Sequence, residues 1–223
     1  MTMNAVCAGC NAGWLNDLED RATPAIDFFA LAAGTLPTRL QLDDFAFWAV
    51  TRALLRTHYS PSGHAPESLF HSIYQRRQTR TLPDGFIVSI APTTPVSMEA
   101  GVHQSSRLNG SYLGHVAVSL GVLFISVLLA DPDGFSIDLA NRASVQQRMW
   151  FPGSFWLLAP DFRTPPVPVH VLQQVEALVA GSLLGFLLNL QPADQFGSRI
   201  DFAAVVPPAR RGRVPWPEAP TRG

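Results

Sequence analysis

Gly114-His115-Val116-Ala117-Val118-Ser119-Leu120-Gly121-Val122-Leu123-Phe124-Ile125-Ser126-Val127-Leu128-Leu129 is the stretch that decides the fold class. A half-exposed strand alternates apolar with polar residues, but from His115 to Ile125 both parities are apolar. That pattern suits a central strand covered on both faces, or a tight pair of strands. Phe86-Ile87-Val88-Ser89-Ile90 and residues 96–102 have the same strand character. The turn signals Pro83-Asp84-Gly85, Asn109-Gly110 and Asp131-Pro132-Asp133-Gly134 separate these runs. From Pro83 onward the chain therefore reads as a β-rich core.

Toward the N-terminus the period changes. Trp14, Leu18, Ala22, Ala25 and Phe29 recur at spacings of three and four, which predicts a helix over about 13–31, bent or split at Pro24. After a loop marked by Gly34 and Pro37, Asp43 or Asp44 is expected to cap a second helix. Its face carries Phe45, Trp48, Ala49, Arg52, Leu55 and Arg56. A short third helix is predicted over 66–77, with Pro66 in its first turn and Leu69, Phe70, Ile73 and Tyr74 on one side.

Toward the C-terminus, prolines 152, 160, 165, 166 and 168 predict an extended connector without regular structure over 151–168. A closing helix is predicted over 169–190, and the proline- and arginine-rich end reads as unstructured. The expected class is α+β, divided into 1–34, a body over 35–190 and a tail over 191–223.

With 47% apolar and 15% charged residues among 223, the composition excludes a disordered or fibrous chain. The net charge of −1 gives no global field for a phosphate backbone, so any contact with DNA must be local. The longest apolar runs, 116–130 and 177–188, are shorter than the roughly 20 residues a bilayer span requires. The first residues lack the charged and apolar regions of a signal peptide, so a cytoplasmic location is expected.

One motif carries chemistry. In Cys7-Ala8-Gly9-Cys10-Asn11-Ala12-Gly13-Trp14 two thiolates two residues apart can face one tetrahedral Zn²⁺, with Gly9 permitting the turn. They supply half of such a site, and the competing readings are a redox dithiol or two ordinary surface cysteines near a frayed chain end. A redox dithiol needs a strand before the motif, and the six preceding residues hold none.

Cys7, Cys10, Asn11, Gly13, Trp14, Leu18 and Glu19, with Pro24 following, resemble the second zinc knuckle and helix start of a bacterial and phage family related to HNH endonucleases. The resemblance extends in character over about 6–169, through the helix around Trp48, the strands near 114–129 and Trp150-Phe151-Pro152. It is specific only over the first 20 or so residues. It implies a treble-clef unit in which Cys7 and Cys10 are the second pair of structural Zn²⁺ ligands. It also implies that Asn11 occupies the slot beside a catalytic Mg²⁺ or other divalent ion, in a metal-dependent phosphodiester hydrolase acting on nucleic acid. The first Cys pair and the general-base His of that template have no counterpart before Cys7, so the catalytic unit is expected to be incomplete.

Three arrangements fit the resemblance: a natural start further upstream, a decayed remnant whose body binds a partner, or a homodimer that pools two Cys pairs around one Zn²⁺. A non-enzymatic interaction or structural protein of phage or mobile-element origin is the competing class. His58, His64 and His71 read as solvated imidazoles, with the sharper alternative that one joins Cys7 and Cys10 as a third ligand. His115 reads as a hydrogen-bonded core residue. The basic run containing Arg76, Arg77 and Arg80 could touch phosphates, and equally suits a solvated helix end.

Overall fold

The computed structural model describes residues 9, 12–31, 33–58, 60, 64–83, 85–94, 102–108, 111–130 and 156–159. The class is α+β. Helices α1 (Trp14–Leu31), α2 (Arg39–Thr57) and α3 (Glu67–Gln75) precede strands β1 (Phe86–Pro92), β2 (Val102–Leu108), β3 (Ser111–Leu120), β4 (Leu123–Ala130) and β5 (Trp156–Ala159). The strands form one sheet in the order β2-β3-β4-β1-β5, antiparallel at every pairing.

α1 forms where the three-and-four periodicity places it, burying Leu18, Ala22, Ala25, Phe28 and Phe29. It is not split at Pro24. Proline removes one intrahelical hydrogen bond and costs about 3 kcal/mol in an exposed helix. Here Pro24 itself is exposed, but Ala22 and Ala25 beside it are at 0% exposure, and the burial of that face keeps the helix continuous.

α2 starts four residues before Asp43. Its cap is Thr38, whose hydroxyl accepts from the Gln41 N–H while the Gln41 side chain accepts from the Thr38 N–H, a reciprocal capping box. Asp43 instead pairs with Arg39 one turn earlier, and Asp44 lies inside the helix. α2 also buries more than the single predicted face. Asp44, Phe47, Thr51 and Leu54 make a second buried stripe beside Phe45, Ala49 and Val50, because the helix packs against both α1 and the sheet. α3 is shorter than the predicted 66–77; Pro66 is its N-cap and Arg76 its C-cap.

The apolar run of the sequence proves to be the tight pair. β3 and β4 are joined by Gly121 and Val122, with Leu120 opposite Leu123. Gly121 has φ +58°, as the first central position of a type II′ turn requires. A Cβ there would lie 2.6 Å from the Ala30 carbonyl oxygen. The turn is pinned from two sides: Val122 N–H donates to Ala30 O at 3.3 Å, and Thr93 N–H donates to Val122 O at 2.8 Å.

Phe86, Val88, Ile90, Leu123, Ile125, Val127 and Leu129 share one core with the helices. The opposite parity of the same strands is buried as well, which is why both parities are apolar in sequence. On that second face His115 Nε2 lies 2.9 Å from Ser126 Oγ, so His115 is the hydrogen-bonded core residue expected.

Two strands differ from the sequence reading. The second strand covers Val102–Leu108, mostly beyond the predicted 96–102, and its polar composition fits an edge strand. The proline connector contains β5, whose Trp156-Leu157-Leu158-Ala159 pairs with β1 in the proline-free interval between Pro152 and Pro160. The predicted helix over 169–190, the turn at 131–134 and the tail over 191–223 lie outside the described residues.

Candidate functional site

The candidate site is built around the end of the helical hairpin where α1 begins and α2 ends. Gly9 and Ala12 are helical, and the chain turns at Gly13 into Trp14. A Cβ on Gly13 would lie 2.8 Å from the Gly9 carbonyl oxygen, closer than real Cβ atoms approach. The glycine of the motif thus has a local steric reason. Cys7, Cys10 and Asn11 lie outside the described residues.

α1 and α2 run antiparallel, joined by the short 32–38 connection. The Arg52 guanidinium bridges to the Glu19 carboxylate across the pair. At the mouth of the hairpin, Trp14 meets Tyr74 of α3 edge-on, with ring centroids 6.2 Å apart.

The end of α2 is tied to the entry of α3 through Thr57. Its hydroxyl donates to Leu54 O at 2.8 Å and accepts from Ala65 N–H at 3.2 Å. His64 Nδ1 lies 3.3 Å from Thr57 O. This closure returns the chain on itself and sets the exposed His58 and His64 rings 5.1 Å apart, tilted by 38°. His71 stands apart on α3, its Nε2 2.7 Å from Gln75 Nε2.

The basic run does not form one patch. Arg77 lies 4.0 Å above the Tyr74 ring and donates from its guanidinium to Tyr74 O at 2.8 Å. Arg80 Nε is 3.0 Å from the Asp44 carboxylate, with the Arg80 side chain largely covered. Arg76 remains exposed at the end of α3. The Arg80 backbone has φ +55° and its N–H donates to Arg76 O at 2.7 Å, closing the turn that aims the side chain at Asp44.

Asp44 is a site residue that sequence reasoning assigned elsewhere. It is 3% exposed, and burial raises its carboxyl above the usual range, opposed by the Arg80 and Arg21 guanidinium groups. The available signal was its place on the stripe of Phe47, Thr51 and Leu54. The His58–His64 pairing carried a weaker one: Ser60-Pro61-Ser62-Gly63 between them can reverse the chain.

Among the described residues no group of three or more His, Cys, Asp or Glu side chains is arranged to hold a metal ion. No described helix is long and apolar enough to cross a membrane. No family model, curated protein or solved structure matches the chain.

Proposed function

We propose that this is an HNH-endonuclease-related, nucleic-acid-directed protein. In this reading Cys7 and Cys10 grip a structural Zn²⁺, and the α+β body behind them is a scaffold rather than a cleavage centre. The observation that carries the reading is the entry to α1: the Cys-x-x-Cys pair leads through a sterically required Gly13 directly into an 18-residue helix. A Cys-x-x-Cys pair directly before a helix is the sequence order of a zinc knuckle, and bound Zn²⁺ would supply folding free energy at that terminus rather than a reacting group. The polar groups of the body support the same division of labour, since Asp44–Arg80 and Glu19–Arg52 tie elements together.

The test is zinc content and DNA binding of the purified full chain. We expect bound zinc that is lost in Cys10→Ser, association with duplex DNA that weakens as salt rises, and no Mg²⁺-dependent nicking of plasmid. Mg²⁺-dependent nicking abolished by Asn11→Ala would overturn the scaffold assignment. Absence of both zinc and DNA binding would favour the second reading, a non-enzymatic interaction protein. That reading draws on Leu31, Leu36 and Leu40, exposed to 66%, 55% and 61% at the opposite end of the hairpin.

A further inference from the structure

We infer that His58 and His64 form a metal site of their own: a two-imidazole seat for a divalent ion of the Cu²⁺, Ni²⁺ or Zn²⁺ class, with water filling the remaining positions. The inference does not rest on the thiolate reading, and both protein donors it uses are described residues.

The two rings are spaced as ligands of one ion are. With metal–nitrogen bonds of about 2.0–2.1 Å, two imidazoles on one tetrahedral ion have ring centres about 5.2 Å apart. The His58 and His64 centroids are 5.1 Å apart, with the planes tilted by 38° rather than stacked flat. Both residues are exposed, so an ion reaches them directly from solvent. Imidazole nitrogen suits Cu²⁺, Ni²⁺ and Zn²⁺, whereas Mg²⁺ and Ca²⁺ require oxygen ligands.

Thr57, the buried last residue of α2, holds the pair in place. His58 follows it as the C-cap in helical conformation, its N–H donating to the Leu55 and Arg56 carbonyls. His64 Nδ1 lies 3.3 Å from the Thr57 carbonyl oxygen. That oxygen can only accept, so in the neutral ring Nδ1 carries the proton and the Nε2 lone pair is the one left to bind metal. A backbone carbonyl on the non-ligating nitrogen is the outer contact that orients a metal-binding histidine. The Thr57 hydroxyl accepts from Ala65 N–H at 3.2 Å, which fixes the backbone beside His64. Both rings are thus positioned through one buried residue, and little side-chain freedom is lost when an ion joins them. Two protein donors make a weaker site than the three or four of catalytic and structural zinc centres, so ions bound here exchange with solvent and leave on desalting.

The test is a Zn²⁺ titration of the desalted full-length chain followed by imidazole-ring ¹⁵N NMR. It is run on the parent and on Cys7→Ser combined with Cys10→Ser, which removes competing thiolates. In both, the His64 Nε2 resonance and one His58 ring nitrogen should shift together and saturate, while the His71 ring stays in place and Mg²⁺ moves neither. In the thiolate-free chain, His58→Ala and His64→Ala should each lower Cu²⁺ affinity about 10-fold or more, because the second imidazole binds as an intramolecular event. His71→Ala should leave that affinity unchanged. Should the thiolate-free chain fail to fold, the ring shifts of the parent decide by themselves. His58 and His64 resonances that stay in place or move no more than those of His71, or Cu²⁺ affinity unchanged in either single variant, overturn the inference. A desalted parent that retains no zinc counts against the thiolate reading and leaves this one standing.

Discussion

At the scale of single residues, Asp44 and Arg80 make the clearest energetic statement. A carboxylate taken out of water inside a helix is costly unless paired, and the Arg80 guanidinium lies 3.0 Å from Asp44. Because burial raises the folded pKa of Asp44 above the unfolded value of 3.8, the folded state binds this proton more readily. Its contribution to stability is therefore greatest below that value and declines as pH rises through the raised folded pKa. Arg80→Met keeps the aliphatic stem and the left-handed backbone penalty but removes the charge. It should destabilise by about 2–3 kcal/mol at pH 7 and by clearly less at pH 4, as measured by urea unfolding. In an Asp44→Asn background the Arg80 effect should fall below about 1 kcal/mol. Equal losses at both pH values would show that Arg80 acts by packing alone. Gly13→Ala belongs to the same scale: the added methyl meets the Gly9 carbonyl, so thermal unfolding should shift downward.

At the scale of elements, the β3–β4 hairpin joins the two halves of the fold. Its turn contacts Ala30 at the end of α1 and Thr93 after β1, so the helical layer and the sheet meet at Gly121. Gly121→Ala imposes a positive-φ cost and a clash with the Ala30 carbonyl, and should destabilise by about 2–3 kcal/mol in chemical denaturation. A loss of only a few tenths would mean that the turn readily changes type. Thr38→Ala removes the α2 cap and should cost about 1 kcal/mol.

These elements also show what was legible. The α1 stripe, the apolar hairpin and the buried His115 follow from side-chain periodicity, because burial on one or both faces dictates residue type directly. The start of α2 was misplaced because Asp43 and Asp44 look like caps. Thr38 with Gln41 is the quieter capping-box signal, and it won because it satisfies two backbone donors at once. β2 was placed too early and β5 missed for a different reason. Edge strands need little apolar alternation, and a four-residue strand between prolines is specified by pairing with β1 rather than by its own composition.

At the scale of the molecule, α1, α2 and α3 lie on a sheet whose described central strands β1 and β4 are buried on both faces. The antiparallel α1–α2 hairpin gives this body two chemically distinct ends. One carries the exposed leucines 31, 36 and 40, and the other gathers the start of α1, the end of α2 and the His58–His64 pair. The Cys pair lies outside the described residues, and the His58–His64 pairing was not legible in the sequence, since only the return of the chain through Thr57 brings the two rings together. Native mass spectrometry of the purified full-length chain weighs metal and oligomeric state together, and so addresses the metal grip most directly. The account predicts bound zinc that disappears when Cys7 and Cys10 are replaced by serine. A metal-free monomer after exposure to zinc, or a zinc-bearing mass unchanged by those replacements, would contradict it.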